Sequence, residues 1–440
     1  MYLPPRNKEK STYMVQSART NSLWSRITAT FGHWPGIGTV LIAAALLRLA
    51  SIPLVRSYLH PETWEFGPLA RNLAQGFGYT DLLKDGSRVP SIFMPPAYSY
   101  FLAFFFWLGG ERPATYLAIE VLQAAFGVLL VYVVYRLARL LIGERGAIAA
   151  ACMTAIFPTQ IYMCNEFHGI SIYIVLETAA VFFLIRYLQI SHAWGDVILA
   201  GLCMGVLLPF RGEAPALVLV YAAILALRGG RKAVVPAVAF ALIAAACLAP
   251  WTIRNYREFG RVIPVCASGG YNLWVGNNEN ATGSQHYNYI GLMPAGEKAE
   301  LGRIPLGRNT RVAQDDFLKR LAVDYIRTHP REEAVLALKK LFIFFVFDPS
   351  HEKGRNPAYW IPSLLLSLLA IWGAILRGKK LFGNDLFLVG SILLAVAVGM
   401  VVFVLPRYKI VIDPFLIIIA ANVFAAKAPL NKLSSEAKPA

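Results

Sequence analysis

Four windows of the chain, 146–165, 233–253, 356–376 and 386–406, carry no charged residue over nearly the length that a helix needs to cross a bilayer. Six more stretches are largely apolar: 36–54, 114–138, 170–190, 196–210, 213–228 and 408–426. Helices satisfy their own backbone groups in lipid, so the pattern predicts ten transmembrane helices. Two shorter apolar pieces, 97–108 and 336–347, are expected as re-entrant, juxtamembrane or buried partial elements. The fold class expected is an all-α polytopic membrane protein.

Composition agrees. Of the 440 residues, 57% are hydrophobic and only 15% charged, against about 25% in soluble domains. Lys and Arg outnumber Asp and Glu by 42 to 26, a formal charge of +16. Ten spans that start inside place Arg136, Arg139 and Arg145 in one cytoplasmic turn. Arg228, Arg231 and Lys232 fall in a second, and Arg377, Lys379 and Lys380 in a third. The basic lead, Lys427, Lys432 and Lys438 fall on the same side. The excess charge is therefore assigned to anionic lipid, with no nucleic-acid partner. The five cysteines form no CxxC and argue against a disulfide framework or thiolate metal site. No cleaved signal is expected, because the first apolar core begins only near Pro35.

The resulting organisation is a cytoplasmic lead over 1–35 and a transmembrane core over 36–250 with an outer loop at 55–97. An extracytoplasmic region follows over 251–335, then a C-terminal membrane region over 336–426 and a cytoplasmic tail over 427–440. Irregular polar sequence concentrates on the outer side, including His351–Arg355, which points to chemistry there. There is no fixed-period or strong inverted repeat, which lowers the case for a secondary transporter. A Walker loop and a G-x-G-x-x-G set are both missing.

In the first outer loop, Phe66, Leu69, Ala70 and Leu73 recur at helical spacing behind Pro61-Glu62-Thr63-Trp64-Glu65. An amphipathic helix at the membrane surface is expected, stopped at Gly76-Phe77-Gly78. Glu62 and Glu65 beside it can take up a proton, bind a cation, or cap the helix. Pro95-Pro96-Ala97 starts the next element, where Tyr98, Tyr100 and Trp107 are read as interfacial anchors. Glu166 and His168 are candidates for a cation or phosphate, and Arg211 for a lipid-linked phosphate or a salt bridge to Glu213. Glu177, costly if unpaired at its depth, is matched with Arg48. Pro250-Trp251 marks a return to solvent, followed by Arg254, Asn255 and the run Gly270–Asn278. There Tyr271 and Trp274 suit a sugar face, and Asn277 and Asn278 suit hydroxyls. Arg407 and Lys409 suit a phosphate or the membrane interface.

The segment Pro61–Arg71 resembles the first-loop motif of polytopic glycosyltransferases with the GT-C fold. So do Pro250-Trp251, Arg254-Asn255-Tyr256, Phe259-Gly260, the Gly270–Asn278 run and Leu405–Lys409. The group resembled includes bacterial family-39-like aminoarabinose transferases and protein O-mannosyltransferases. The likeness implies a GT-C-like helix bundle in a bacterial inner membrane, with its site facing the periplasm or exterior. It implies sugar transfer, with inversion, from a polyprenyl-phosphate donor to a lipid, glycan or protein acceptor. Matching Pro61 and Phe66 puts the family acid at Glu62, although a small slip would exchange it with Glu65. Arg211, Arg254, Arg407 and Lys409 would bind the donor phosphate; His168, Tyr271, Trp274, Asn277 and Asn278 would bind sugar or acceptor. Glu62 and Glu166 would be the oxygen ligands if a divalent cation (Mg, Mn or Zn) takes part, and the protein is expected as a monomer. The competing functions are a lipid-linked sugar transporter and a polysaccharide polymerase or ligase using a diphosphate-linked donor.

Overall fold

A computed structural model describes residues 35–83, 86–284, 289–348 and 352–425. The basic lead, the tail lysines Lys427, Lys432 and Lys438, and His351 lie outside the described residues.

The helices are α1 (Ile37–Val55), α2 (Phe66–Ala74), α3 (Pro96–Gly109), α4 (Pro113–Ile156), α5 (Pro158–Tyr162), α6 (Ile170–Arg186), α7 (Trp194–Leu207), α8 (Ala214–Gly229) and α9 (Val234–Phe259). After these come α10 (Gly269–Gly276), α11 (Ala295–Gly302), α12 (Thr310–Thr328), α13 (Pro330–Phe345), α14 (Pro357–Arg377), α15 (Leu386–Val401), α16 (Pro406–Ile410) and α17 (Asp413–Ala421). A small antiparallel hairpin, β1 (Thr80–Leu82) with β2 (Arg88–Pro90), follows α2.

Five helical stretches among the described residues are long and apolar enough to cross a membrane, and the chain is a multi-pass membrane protein. Two of the five are divided by a glycine with a left-handed φ: Gly143 at 77° within α4, and Gly230 at 63° after α8. An L side chain is strained there, so glycine makes these turns possible. At Gly143 the chain folds back: Tyr135 donates to Glu144, and Gln123 touches the backbone of Cys164. Three shorter apolar helices, within 194–210, 386–401 and 413–424, complete ten apolar segments at the ten expected places. They pack around a common core in the order α1, α4, α6, α7, α9, α8, α15, α17 and back to α4, with α14 against α17.

Several boundaries differ from the sequence expectation. The window 146–165 is not one full helix: α4 ends at Ile156, because Pro158 lacks an N–H and holds Phe157 extended at φ −67°, ψ 118°. In the other direction, Pro250 does not end its helix. α9 continues to Phe259, where Gly260 closes it in the left-handed region. The window 386–406 stops at Val401, and the last apolar window is divided between the end of α16 at Ile410 and α17 from Asp413. Tyr98 is no interfacial anchor, being 1% exposed; Tyr100 and Trp107 are exposed. Glu177 does not pair with Arg48. It accepts a 2.9 Å hydrogen bond from Tyr221, while Arg48 donates to the carbonyls of Ala44, Thr154 and Ala155. Arg48 thereby satisfies carbonyls left open where α4 ends.

Candidate functional site

Between α5 and α6 the chain makes a tight turn in which the His168 N–H donates to the Glu166 carbonyl at 2.8 Å. Phe167, at its centre, is buried against Tyr116, with ring centroids 4.9 Å apart. Glu166 and His168 stand half-buried on either side. The His168 ring meets Phe66 of α2 edge-on at 5.3 Å and lies nearly parallel to Tyr98 of α3 at 6.4 Å. Its Nδ1 is buried without a hydrogen-bond partner among the described residues. Burial, reinforced by the positive charges of Arg407 and Arg211, holds the imidazole well below its ordinary value, so it is neutral at pH 7.

Arg211 follows α7 in extended backbone, and its guanidinium carbon lies 5.6 Å from the Tyr173 ring centroid and 5.1 Å from that of Tyr408. Burial opposes its charge, but Glu213, to which its Nε donates, and the neighbouring phenols outweigh that and raise its pKa. Arg407 arrives on α16, one residue before Tyr408. Arg211 and Tyr408 also line a cavity running down to Tyr173, Glu177 and Ser391, walled by Leu217, Leu394 and Val398. Three expected site residues from distant stretches (His168, Arg211, Arg407) therefore share one electrostatic cluster. Glu166 joins its edge, since Glu166 and Arg407 both act on the Tyr359 phenol. Tyr408 was not singled out from sequence, although it stands between two residues that were.

The first loop leads into α2, whose Phe66 meets His168. Thr63 packs so tightly on Gly67 that a Cβ there would meet its Oγ1 at 2.0 Å. Trp64, between the two acids, has φ 48°, a strained value for a bulky residue. Glu65 occupies the N-cap position of α2, and Glu62 is exposed one turn before it. Arg71 fastens the helix to Glu111 through bonds of 2.6 and 3.1 Å. Glu65 reaches α10: the Tyr271 phenol is raised by burial and by the nearby Glu65 carboxylate, and Tyr408 also acts on it.

The remaining expected residues are placed elsewhere. Arg254 donates to the carbonyls of Ser91 (2.8 Å) and Tyr79 (3.0 Å), tying the hairpin to α9. Lys409 points to the Ser363 carbonyl at 2.6 Å. Trp274 is buried in the cluster formed by α10 and α12. Asn277 donates to the carbonyls of Leu273 and Val401 and accepts from the buried Lys340 at 2.7 Å. Asn278 donates to the Trp274 carbonyl at 2.7 Å. Trp274, Asn277 and Asn278 border a separate cavity with Tyr325 and His329. Among the described residues no group of three or more His, Cys, Asp or Glu could hold a metal ion. Glu166 is half-buried and Glu62 exposed, and a divalent cation between them remains an expectation of the sequence.

The helical bundle, with its polar cluster over apolar helices, has the GT-C fold of membrane glycosyltransferases. A family model for dolichyl-phosphate-mannose-protein mannosyltransferase matches residues 94–253, the stretch that carries His168 and Arg211. The fold is similar to that of the oligosaccharyltransferase of Archaeoglobus fulgidus tethered to an acceptor peptide: TM-score 0.53, 12% identity, covering 88% of this chain and 49% of that one. The archaeal oligosaccharyltransferase AglB from the same organism, bound to an inhibitory peptide and a dolichol-phosphate, gives 0.52 at 13% identity, covering 88% and 50%. The chain thus spans about half the length of these proteins. ArnT from Cupriavidus metallidurans bound to undecaprenyl phosphate matches at TM-score 0.37 and 13% identity, covering 88% and 77%, too low a score to add to the fold assignment. No curated protein matches the chain in sequence.

Proposed function

We propose that this protein transfers a sugar from a polyprenyl-phosphate donor to an acceptor at the end of the bundle remote from Gly143. The observation that carries the reading is that Arg211 and Arg407, from distant stretches, flank Tyr408 and that both act on the His168 ring. A lipid-linked phosphate suits a pair of guanidinium groups, which offer charge and forked donors together.

In the reaction, an acceptor hydroxyl loses its proton to a first-loop carboxylate and its oxygen bonds to the anomeric carbon. The bond from that carbon to the phosphate oxygen breaks, and the lipid phosphate leaves with the electron pair. Attack from the face opposite the leaving group inverts the configuration. Glu62 is assigned as the base. Both acids are exposed; Glu65 sits at the N-cap of α2, where its charge favours the helix dipole, and Glu62 lies outside the helix three residues earlier. Arg211 and Arg407 stabilise charge growing on the phosphate, and neutral His168 offers a hydrogen bond through a ring nitrogen. The setting proposed is a bacterial inner membrane with the site facing the periplasm.

The test is a purified-protein reaction. Polyprenyl monophosphate should be released only when both donor and acceptor are present, with the sugar on the acceptor by mass spectrometry. Movement of intact lipid-linked sugar across proteoliposomes without cleavage would refute transfer in favour of transport.

A further inference from the structure

Gln123, on the first arm of α4, takes no part in the sequence motifs. It is fully buried. Its Nε2 donates to the carbonyls of Cys164 (2.9 Å) and Glu166 (3.0 Å), and its Oε1 accepts from the Tyr98 hydroxyl at 2.9 Å. The amide orientation is fixed, since only its nitrogen can serve two carbonyls and only its oxygen can receive the phenol. The Glu166 carbonyl also receives the His168 N–H, so Gln123 grips the corner of the turn that presents both side chains. On the far side of the turn Asn165 donates to Ser51 of α1 at 2.9 Å. Tyr98, held through the same amide, supplies the face that lies along the His168 ring.

We infer that Gln123 is a positioning residue: its side-chain amide sets the 164–168 turn and thereby aims His168 and Glu166 at the phosphate cluster. The inference rests on the proposed transfer reaction for its functional consequence, while its structural content stands apart from it. Arg211 and Arg407 belong to other elements and are not gripped by this amide. Loss of Gln123 should therefore impair turnover more than lipid-phosphate binding.

Two substitutions test this in the full-length protein. Q123M keeps similar volume and removes all three hydrogen bonds; Q123E keeps the shape but turns a carboxylate toward two carbonyls. Hydrogen exchange at 164–168 should rise in both. Affinity for undecaprenyl phosphate, the probe, should stay within about threefold while kcat falls roughly 10- to 100-fold, the scale expected for an angstrom of misplacement. On acidification Q123E regains one O–H donor, so its turnover relative to wild type should rise, whereas that of Q123M should not. Unchanged exchange at 164–168 in a folded Q123M would overturn the inference whatever the activity. Equal losses of probe binding and kcat would overturn it too, by showing general damage. A wild-type protein that cleaves no donor would refute the transfer reaction alone, because the exchange experiment reports without it.

Discussion

Replacing Arg211 by methionine separates the two tasks that its position allows. The guanidinium is bonded to Glu213 and flanked by Tyr173 and Tyr408, so an internal salt bridge and a phosphate site predict different outcomes. A hydrogen bond to a charged group contributes about 1.5–3 kcal/mol. At 1.4 kcal/mol per factor of ten, R211M should weaken undecaprenyl phosphate binding roughly 10- to 150-fold. E213Q removes the internal competitor and leaves the guanidinium free for the ligand, so it should bind the lipid as tightly as wild type or more so. Binding is read on purified protein in nanodiscs, with melting temperature as the control for folding. If both variants lose stability alike and bind the lipid like wild type, Arg211 is a structural ion-pair partner and the phosphate assignment is wrong.

For the base, E62Q should bind lipid phosphate normally and lose at least about 100-fold in kcat, within the range for general-base removal. E65Q should be milder, and the reverse order in the release assay would transfer the role to Glu65. His168 binds its proton less readily in the folded protein than unfolded, so the unfolded state takes up more protons below pH 6.5, and stability falls as the pH drops through that region. H168Q should flatten that acid-side loss in melting scans from pH 7 to 5; an unaltered slope would show another group to be responsible. Asn277 is expected to matter for folding: N277L leaves the Lys340 ammonium without its side-chain acceptor and should cost ~3 kcal/mol in denaturant titrations. N277L combined with K340M should recover much of that loss, and failure to recover would assign the cost to the carbonyls of Leu273 and Val401 that Asn277 also serves.

Much of the architecture was written in the order of residues. Ten apolar segments lie where four charge-free windows and six largely apolar stretches put them, because lipid demands long runs without unpaired polar groups. The motif around Pro61–Arg71 also forms its helix at the expected place, with Phe66, Leu69 and Ala70 on the buried side. Helix ends were less legible. The chain breaks at Phe157-Pro158 but runs straight past Pro250, and nothing local distinguishes the two prolines. A proline removes one hydrogen bond in either case, and the surrounding packing decides whether the helix continues.

The sequence alone determined the fold class and the residue types available for a phosphate. Only the tertiary structure decided which of those residues meet. His168, Arg211 and Arg407 are separated by some 240 positions yet share one electrostatic neighbourhood. Arg254, Lys409, Asn277 and Asn278 carry equally suitable groups but hold backbone or a buried lysine. Gln123 had no sequence signal at all, because its importance lies in the carbonyls of Cys164 and Glu166, some 40 positions away, that the fold-back at Gly143 brings to it. Hydropathy reports the transfer of each segment from water, which is local and additive along the chain. The direction of a guanidinium or an amide depends on partners brought in from other helices, and that information exists only once the bundle has closed.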